Sequence, residues 1–506
     1  MSVPGYRLLA ASCLFPALRQ LRYAAEPTYR DDILRLVEED VRGFCIFQGD
    51  AQETAELIAE LNSHAKKRLL FCADFEHGLP MRLDGGTAFP HAMALGRANN
   101  TEYTREAARI IAREMKALGV DWNFAPVCDV NSNPQNPIIN IRSFGETPDT
   151  VARHASAFIE GLQTEGIIAC AKHFPGHGDT AIDSHLDLPA LSCNRTHLEQ
   201  IELAPFRAAV AVGSRSIMIG HLAIPALENA KIPASLSPRI ITDILRNELG
   251  FEGLIVTDAL EMQAITRSYS SGEAATAAIR AGADAVLIPE NPLEALNALE
   301  TEARRDDKFA ELLQKAADRI TLHQTWAQAI TTSAAPLHAT KSAEFALKIA
   351  KAAINISDEK RILPISNFNS FAALAYCPDD NLDPATEFFR YLAQTLENDC
   401  DFCYIDDTIS DEDAQILATE IADVDVIIIG FFVRSRAYRG NVALGENLMP
   451  RIRTIIGEKP FVGVIFGSPY IADAIQSDCT VFCYSDASAA IGAAALAVSG
   501  KLSATD

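Results

Sequence analysis

The chain has 506 residues, a net charge of −23 and a hydrophobic fraction of 48%. This length predicts roughly two to four domains, and the apolar content excludes a disordered chain. The acidic balance argues against binding to nucleic acid or an anionic membrane through bulk positive charge. No apolar run reaches the ~18 residues needed to span a bilayer, so we expect no membrane span.

Cysteine usage indicates a reducing compartment, because most of the eleven cysteines lie in apolar runs, as Cys45 does. Cys400 and Cys403 form one C-x-x-C pair without a second, which favours a chance pair in a strand over a metal site. Residues 8–13 are similar to a lipoprotein cleavage site ending at Cys13. The apolar stretch before that cysteine is about five residues, against ~7–15 in a signal peptide. We therefore interpret it as a first buried strand and expect a cytoplasmic protein.

The first 300 residues alternate short apolar runs with helical patterns. A helix is predicted at 101–118, where apolar residues recur at helical spacing after an opening Thr-Glu. Continuous apolar runs are typical of parallel strands that are buried on both faces. Eight such strands with alternating helices predict a (β/α)₈ TIM-like barrel. The predicted strands are 8–13, 43–48, 69–74, 122–129, 167–173, 216–221, 254–258 and 285–289.

Polar residues end most of these runs, as the rim of a barrel active site would require. A single Asp in such a place is more simply a turn former or helix cap. The whole set is harder to explain in that way. It comprises Asp74, Asp129, Lys172, His173, His221 and Asp258.

A second alternating region follows a segment rich in Ser, Ala and Pro near residue 335. It contains no G-x-G-x-x-G fingerprint, so a nucleotide site has little support. We predict a catalytic barrel at 1–335, a linker at 336–345 and an open α/β sandwich domain at 346–506. The predicted strands of this domain are 353–356, 371–376, 402–405, 424–432, 461–466 and 480–484.

The segment 172–185 carries the densest chemistry, with three of the chain's eleven histidines. Pro175 and the glycines around it predict a loop after the fifth strand. Asp183 in this loop has the spacing to orient His185 for proton transfer, as in the Asp–His half of a catalytic triad. Alternatively, the histidines and carboxylates bind a metal, although no typical metal-ligand spacing supports this. The third interpretation is a loop whose polar groups only satisfy one another.

Residues 172–178 read Lys-His-Phe-Pro-Gly-His-Gly, and Asp-Ser-His follows at 183–185. This stretch resembles the signature of the β-N-acetylglucosaminidases of glycoside hydrolase family 3. Further segments also resemble that family, and together they cover most of the chain. They are Asp-Phe-Glu-His-Gly at 74–78 with Arg82, Asn-Ile-Arg-Ser-Phe-Gly at 140–145, Phe-Glu-Gly-Leu-Ile-Val-Thr-Asp at 251–258, the segment 352–365, and Phe-Gly-Ser-Pro-Tyr at 466–470.

The resemblance implies a retaining glycosidase in which Asp258 is the nucleophile. It implies that His185 is the acid/base and that Asp183 stabilises its imidazolium form. It also implies sugar-hydroxyl contacts from a polar set, for which an ion pair bracing the rim is the alternative at the arginines. That set is Asp74, Arg82, Arg142, Lys172 and His173. No cofactor or metal is expected, and the expected partner is a small carbohydrate, with muropeptide fragments of the cell wall as the substrate the family implies.

The sequence leaves several alternatives open. His77 stands where the family commonly has glycine, which puts the fine specificity in question. The Asp-Ser-His element separates the chain from the family's β-glucosidases, but it does not choose between water and phosphate as acceptor. A phosphorylase, a hydrolase of another β-glycoside and a catalytically silent sugar-binding protein are therefore the competing interpretations. The sequence does not reveal the oligomeric state.

Overall fold

A computed structural model describes residues 5–180, 188–191, 193–228, 232–330, 339–378, 381–396, 402–434 and 444–502. It divides into two compact units. The first comprises residues 1–87, 101–139 and 143–339, and the second comprises 88–100, 140–142 and 340–506. No helix within these described ranges is long and apolar enough to cross a bilayer.

The first unit is built on parallel strands that form a ring. Seven strands pair side by side in parallel, from Ala17–Arg19 at one edge to Leu254–Thr257 at the other. A parallel bridge joins Val256 to Ala285, and Val286–Leu287 then pairs with Leu14–Phe15, which directly precedes the first edge strand. Pairing thus returns to its start, and the predicted TIM-like α/β fold is confirmed.

The described strands of the first unit are Leu14–Phe15, Ala17–Arg19, Gly43–Phe47, Gly49–Asp50, Leu70–Ala73, Leu83–Asp84, Trp122–Asn123, Ile168–Phe174, Ser216–Ile219, Leu254–Thr257 and Val286–Leu287. Its longer helices are Tyr6–Ser12, Gln20–Ala25, Pro27–Glu38, Ala51–His64, Thr101–Leu118, Pro148–Thr164, Leu203–Ala211, Ser271–Ala281, Pro292–Arg305 and Asp307–Ala329. Shorter helical pieces are Leu79–Met81, Arg195–His197, Ala234–Leu236 and Gln263–Thr266, with π-helical turns at Leu198–Glu202 and Arg239–Glu248.

The predicted first strand at 8–13 is wrong. Tyr6–Ser12 is a helix that buries Leu9, Ala10 and Ala11, and strand pairing begins only at Leu14. Leu and Ala are strong helix formers, and a continuous apolar run is common to buried helices and buried strands. The run has no hydrophobic periodicity that would distinguish a helix from a strand. Packing against the C-terminal helices of the unit therefore decides that it is a helix.

The predicted strand at 122–129 is shorter than expected, because regular pairing ends after Trp122–Asn123. Pro126 follows shortly, and proline has no N–H to donate to a strand ladder. Pairing resumes only as a single bridge between Val127 and Lys172. The chain therefore leaves the ring early and continues as an irregular segment that includes Asp129.

The second unit is an open α/β sheet of six described strands, five parallel and one antiparallel at an edge. Their order is Asn355–Ser357, Cys479–Phe482, Phe461–Ile465, Val426–Phe431, Phe371–Tyr376 and Phe402–Ile405. The described helices are Ala92–Ala98, Asn140–Arg142, Thr340–Ala353, Ile365–Asn367, Asp383–Leu396, Asp411–Glu420, Leu448–Ile456, Pro469–Ile471, Ala472–Ile475 and Ser488–Val498.

Two features of this division differ from the predicted boundaries. The helix Thr340–Ala353 begins inside the predicted linker at 336–345. Residues 88–100 and 140–142, predicted as barrel, group with the second unit. Ile141 packs there among Met93, Ala94 and Tyr484. Such contacts join residues far apart in sequence, so local patterns do not contain them.

Candidate active site

The carboxyl ends of four strands bring the predicted polar residues to one rim of the barrel. Asp74 directly follows Leu70–Ala73, and Lys172 lies near the end of Ile168–Phe174. His221 follows Ser216–Ile219 by two residues, and Asp258 directly follows Leu254–Thr257. Catalytic groups of barrel enzymes occupy this rim because the loops that leave the strands converge there.

Four side chains at this rim form what we term the charged cluster: Asp74, Glu76, Arg82 and Lys172. The Lys172 ammonium, only 1% exposed, lies 2.7 Å from Asp74 Oδ1 and 2.7 Å from Glu76 Oε1. Arg82 donates from its guanidinium to Asp74 Oδ2 at 2.7 Å. A buried charge is retained in a protein only when it is paired, and this cluster pairs each member.

The cluster fixes the ionisation of Asp74. Burial by itself raises the pKa of this carboxyl, but the charges of Lys172 and Arg82 outweigh burial and hold the pKa below its ordinary value. Asp74 is therefore an acceptor-only carboxylate across the neutral range. Such a group, flanked by two cationic donors, is suited to binding neighbouring hydroxyls.

A second arrangement centres on Asp129, whose side chain is buried. It accepts from the backbone N–H groups of His173 at 3.1 Å and His177 at 2.8 Å. It also lies 2.8 Å from His173 Nδ1. Burial raises the pKa of Asp129, but His173 overcomes that effect and leaves the pKa below its ordinary value. Because the Asp129 carboxylate can only accept a hydrogen bond, the ring proton of His173 lies on Nδ1. The Nε2 atom of His173 is then left for another contact.

His177 is enclosed beneath this rim and is 2% exposed. Its Nδ1 lies 2.7 Å from Thr180 Oγ1. Burial lowers the pKa of His177 to about 4, against opposing contributions from Asp129 and Asp258. His177 is thus neutral at pH 7.

Asp258 is half-buried and held by its own backbone. Its N–H donates to the carbonyl of Ile219 at 2.9 Å, and its Oδ1 accepts from the N–H of Ala259 at 2.8 Å. His221 Nε2 lies 2.9 Å from the carbonyl of Ala259, and its Nδ1 lies 2.7 Å from Ser235 Oγ. Because a carbonyl only accepts, the proton is on Nε2, and the buried His221 braces the peptide beside Asp258.

The structure thus brings most of the predicted site residues onto one unit. Arg142 differs, because it lies in the turn Asn140–Arg142 that groups with the second unit. Asp183 and His185 lie outside the described residues. Glu76 is an addition to the predicted set, and its place in the segment 74–78 that resembles the family was the local signal for it. Asp129 was predicted as a rim residue, but its role in holding two histidines was not.

Comparison with known proteins gives a consistent result. The model of the family "Glycosyl hydrolase family 3 N terminal domain" matches residues 31–322. Beta-hexosaminidase A of Pseudoalteromonas piscicida is 35% identical over 291 residues, which cover 53% of this chain and 49% of that protein. Beta-N-acetylglucosaminidase/beta-glucosidase of Cellulomonas fimi is 32% identical over 312 residues, 59% of this chain and 54% of that protein. The chain therefore spans about half the length of these curated relatives.

A solved structure extends the likeness beyond the first unit. A glycoside hydrolase family 3 beta-N-acetylglucosaminidase from Paenibacillus sp. superposes with a TM-score of 0.87 at 29% identity, covering 98% of this chain and 97% of that one. The beta-glucoside phosphorylase BglX has a TM-score of 0.86 at 22% identity, which shows a shared fold alone. Because the family model covers more than half of the sequence, this chain belongs to glycosyl hydrolase family 3.

Proposed function

We propose that the protein is a retaining exo-β-N-acetylglucosaminidase that hydrolyses terminal N-acetyl-β-glucosaminides. The observation that carries this proposal is the position of Asp258 at the carboxyl end of its strand, on the rim that also holds the charged cluster. Family membership supports glycoside chemistry. The names of the relatives and of the Paenibacillus structure support the N-acetylglucosaminide as substrate.

In the proposed reaction, a carboxylate oxygen of Asp258 attacks the anomeric carbon as the bond to the leaving oxygen breaks. The product is a covalent glycosyl-enzyme, and water then cleaves it with net retention of configuration. Asp258 is half-buried, its backbone N–H donates to the Ile219 carbonyl, and its carboxylate accepts from the Ala259 N–H. Such restraint keeps the nucleophile oriented without a large entropic cost in the transition state.

The proposed acid/base is His185 with Asp183, an assignment that rests on the sequence motif. Protonated His185 gives its proton to the leaving oxygen in the first step. Neutral His185 then takes a proton from the attacking water in the second step, which restores the starting state. Asp183 stabilises the imidazolium form between the two steps.

Sugar hydroxyls are proposed to meet the charged cluster and His173. Asp74 offers carboxylate acceptors, while Lys172 and Arg82 offer donors at fixed positions. The Nε2 of His173 is available because Asp129 occupies Nδ1. Arg142 belongs to the proposed set on the sequence resemblance alone. Hydroxyl-rich ligands need donors and acceptors in alternation, and the cluster supplies both within one small region.

We further propose that the natural substrates are cell-wall muropeptide fragments met in the cytoplasm. The cysteines in the described part of the chain are all free thiols. Free thiols in this number are typical of a reducing compartment. The muropeptide assignment rests on the family resemblance, and digestion of purified muropeptides followed by mass spectrometry tests it directly.

The central experiment assays an aryl N-acetyl-β-glucosaminide with wild type, Asp258→Ala and the control Asp149→Ala. Asp149 is a matched control because it is an aspartate whose side chain is 80% exposed in the first turn of Pro148–Thr164. We expect Asp258→Ala to lower kcat by about 10³-fold or more, as loss of a nucleophile does. Asp149→Ala is expected to match wild type. Near-normal turnover by Asp258→Ala would contradict the mechanism, as would inversion of the anomeric centre in the first-formed product.

His185→Ala tests the acid role separately. An activated aryl leaving group needs little protonation, so its glycosylation step should be spared relative to that of a natural disaccharide. Equal losses for the two substrates in that step would contradict the assignment. Product analysis with and without phosphate tests the acceptor, since accumulation of a sugar 1-phosphate would favour a phosphorylase over the proposed hydrolase. Full activity with a chelator present is expected.

A further inference from the structure

Glu202 is a buried carboxyl group that the proposed reaction does not use. It ends the π-helical turn Leu198–Glu202 and is 0% exposed. Neither of its side-chain oxygens has a hydrogen-bond partner of ordinary geometry among the described residues. A buried carboxyl without partners is costly when ionised, so an unpaired acid at this depth requires an explanation.

Glu202 packs directly under the loop that leaves the fifth barrel strand. Gly176 has a φ of +130°, and a Cβ built there would lie 2.3 Å from Glu202 Oε2 and 2.6 Å from Glu202 Cβ. Only glycine therefore fits at this point, both for its backbone conformation and for the space that Glu202 occupies. The segment 175–180 and the Glu202 side chain are in tight contact.

Most other polar groups around this segment are paired, although the buried His177 Nε2 has no hydrogen-bond partner among the described residues. Asp129 accepts from the His177 N–H at 2.8 Å. Asn136 donates to the carbonyl oxygens of His177 at 2.8 Å and Gly178 at 3.0 Å. Thr180 Oγ1 lies 2.7 Å from His177 Nδ1. The backbone of the segment thus has fixed partners on one side, and an unpaired acid faces it on the other.

The titratable groups that act on Glu202 are of its own sign. Asp129 reaches it from the rim and Asp179 from the segment itself, and the Cys193 thiol faces it from the chain before its helix. Burial first, then these two aspartates, raise the pKa of Glu202 to about 8. The N–H of Gly178 opposes this only slightly. At pH 7 the group is therefore mostly a neutral carboxylic acid.

We propose that Glu202 is a positioning residue whose proton allows segment 175–180 to lie against it, so that loss of the proton displaces the segment. The neutral acid packs under Gly176 without an uncompensated charge. The carboxylate at the same place would have the Gly178 N–H as its one donor among the described residues, and it would face Asp129 and Asp179. It gains hydration, and relief from Asp179, only when the segment moves away.

The direction of the pH effect follows from linkage. A Glu202 that is solvated in the displaced state ionises near its ordinary value of 4.5, and it ionises near 8 in the packed state. The packed state is therefore favoured most below pH 4.5. Between pH 4.5 and pH 8, the equilibrium constant of the packed over the displaced state falls by up to about tenfold for each pH unit. Above that value the dependence ends.

The test measures amide hydrogen exchange of peptides covering 175–180 in the full chain at pH 6 and pH 9, as protection relative to intrinsic exchange rates. Wild type is expected to lose at least tenfold in protection. Glu202→Gln, which keeps the shape but never ionises, is expected to lose less than threefold. Glu199→Gln on the same turn is the matched control, because Glu199 is exposed and paired with Arg195. It should follow wild type.

Two exchange results overturn the proposal: equal protection of wild type at both pH values, or a loss in Glu202→Gln as large as in wild type. If the Glu202→Gln variant does not fold, Glu202→Met carries the same expectation, because it is also uncharged. Exchange needs no substrate, so it decides the proposal even if the proposed glycosidase function fails.

The activity measurement does rest on the proposed function. Segment 175–180 leads into the residues assigned as acid/base, so its displacement should lower turnover. The ratio of kcat/KM at pH 9 to that at pH 6 is expected to be at least threefold higher in Glu202→Gln than in wild type. If this ratio is unchanged while hydrogen exchange behaves as expected, Glu202 affects only the position of segment 175–180. That result would overturn the link between Glu202 and turnover.

Discussion

Asp74 and Glu202 are two carboxyl groups of the same unit with opposite surroundings, the first with a side chain 17% exposed and the second fully buried. Asp74 meets the cations of Lys172 and Arg82, and its pKa lies below the ordinary value although burial raises it. Glu202 meets the acids Asp129 and Asp179, and its pKa rises to about 8. Burial acts in the same direction on both. The partners that the fold supplies therefore decide whether a buried acid is charged.

The largest effect on this contrast is expected from removing Lys172, the one of the two cations in the charged cluster that pairs with both carboxylates. Lys172→Met leaves Asp74 and Glu76 buried without their shared ammonium. Loss of one partner of a buried ion pair costs about 3–5 kcal/mol, so the free energy of unfolding should fall by that amount. Urea denaturation followed by circular dichroism measures it. A loss under about 1 kcal/mol would show that the cluster is far better solvated than its burial indicates.

The contributions of Glu202 and Asp74 to the free energy of unfolding should depend on pH in opposite directions. Glu202 has a raised folded pKa, so its contribution is complete below 4.5 and is lost as pH rises to about 8. Between pH 5 and pH 8, wild type should lose on the order of 3 kcal/mol relative to Glu202→Gln. Asp74 has a lowered folded pKa, so its contribution persists down to its ordinary value of 3.8 and is lost only below it. Urea denaturation at several pH values checks both, and parallel profiles for wild type and Glu202→Gln would contradict the first.

Gly176→Ala tests the contact between Glu202 and its loop. A methyl group would meet Glu202 Oε2 at 2.3 Å at a φ of +130°, so we expect a loss of about 2 kcal/mol. Gly213→Ala is the matched control, since it has a φ of +75° but nothing within 4 Å. It should cost only the backbone strain, about 1 kcal/mol. Equal thermal unfolding midpoints for the two variants would argue against close packing at Gly176.

The smallest effect is expected at an exposed ion pair, which sets the baseline. Lys66 lies 2.6 Å from Asp40, and its side chain is 70% exposed. Such pairs contribute 0 to about 1 kcal/mol, so Lys66→Met should change the free energy of unfolding by no more than that. Urea denaturation beside Lys172→Met measures both under one condition. If Lys66→Met lowers the free energy of unfolding as much as Lys172→Met does, burial does not explain the difference expected between the two ion pairs.

Local patterns predicted much of the fold. The helix expected at 101–118 is observed as Thr101–Leu118, because its buried face repeats at helical spacing. The strand expected at 371–376 is observed as Phe371–Tyr376. The pattern failed at residues 8–13, where an apolar run without a period gave no basis to separate helix from strand. Local patterns also contain no signal for the grouping of residues 88–100 with the second unit, because that grouping depends on distant contacts.

The sequence by itself determined the α/β architecture and the rim residues, since strand ends and a long motif are both local features. Only the tertiary structure decided which of these groups are charged. Lys172 and Asp74 are 98 residues apart, and barrel pairing alone brings them to 2.7 Å. The sequence around Glu202 is typical of an amphipathic helix and does not distinguish Glu202 from an ordinary acid. Its burial under Gly176 follows from packing between two elements, and ionisation depends on that surrounding rather than on neighbours in the chain.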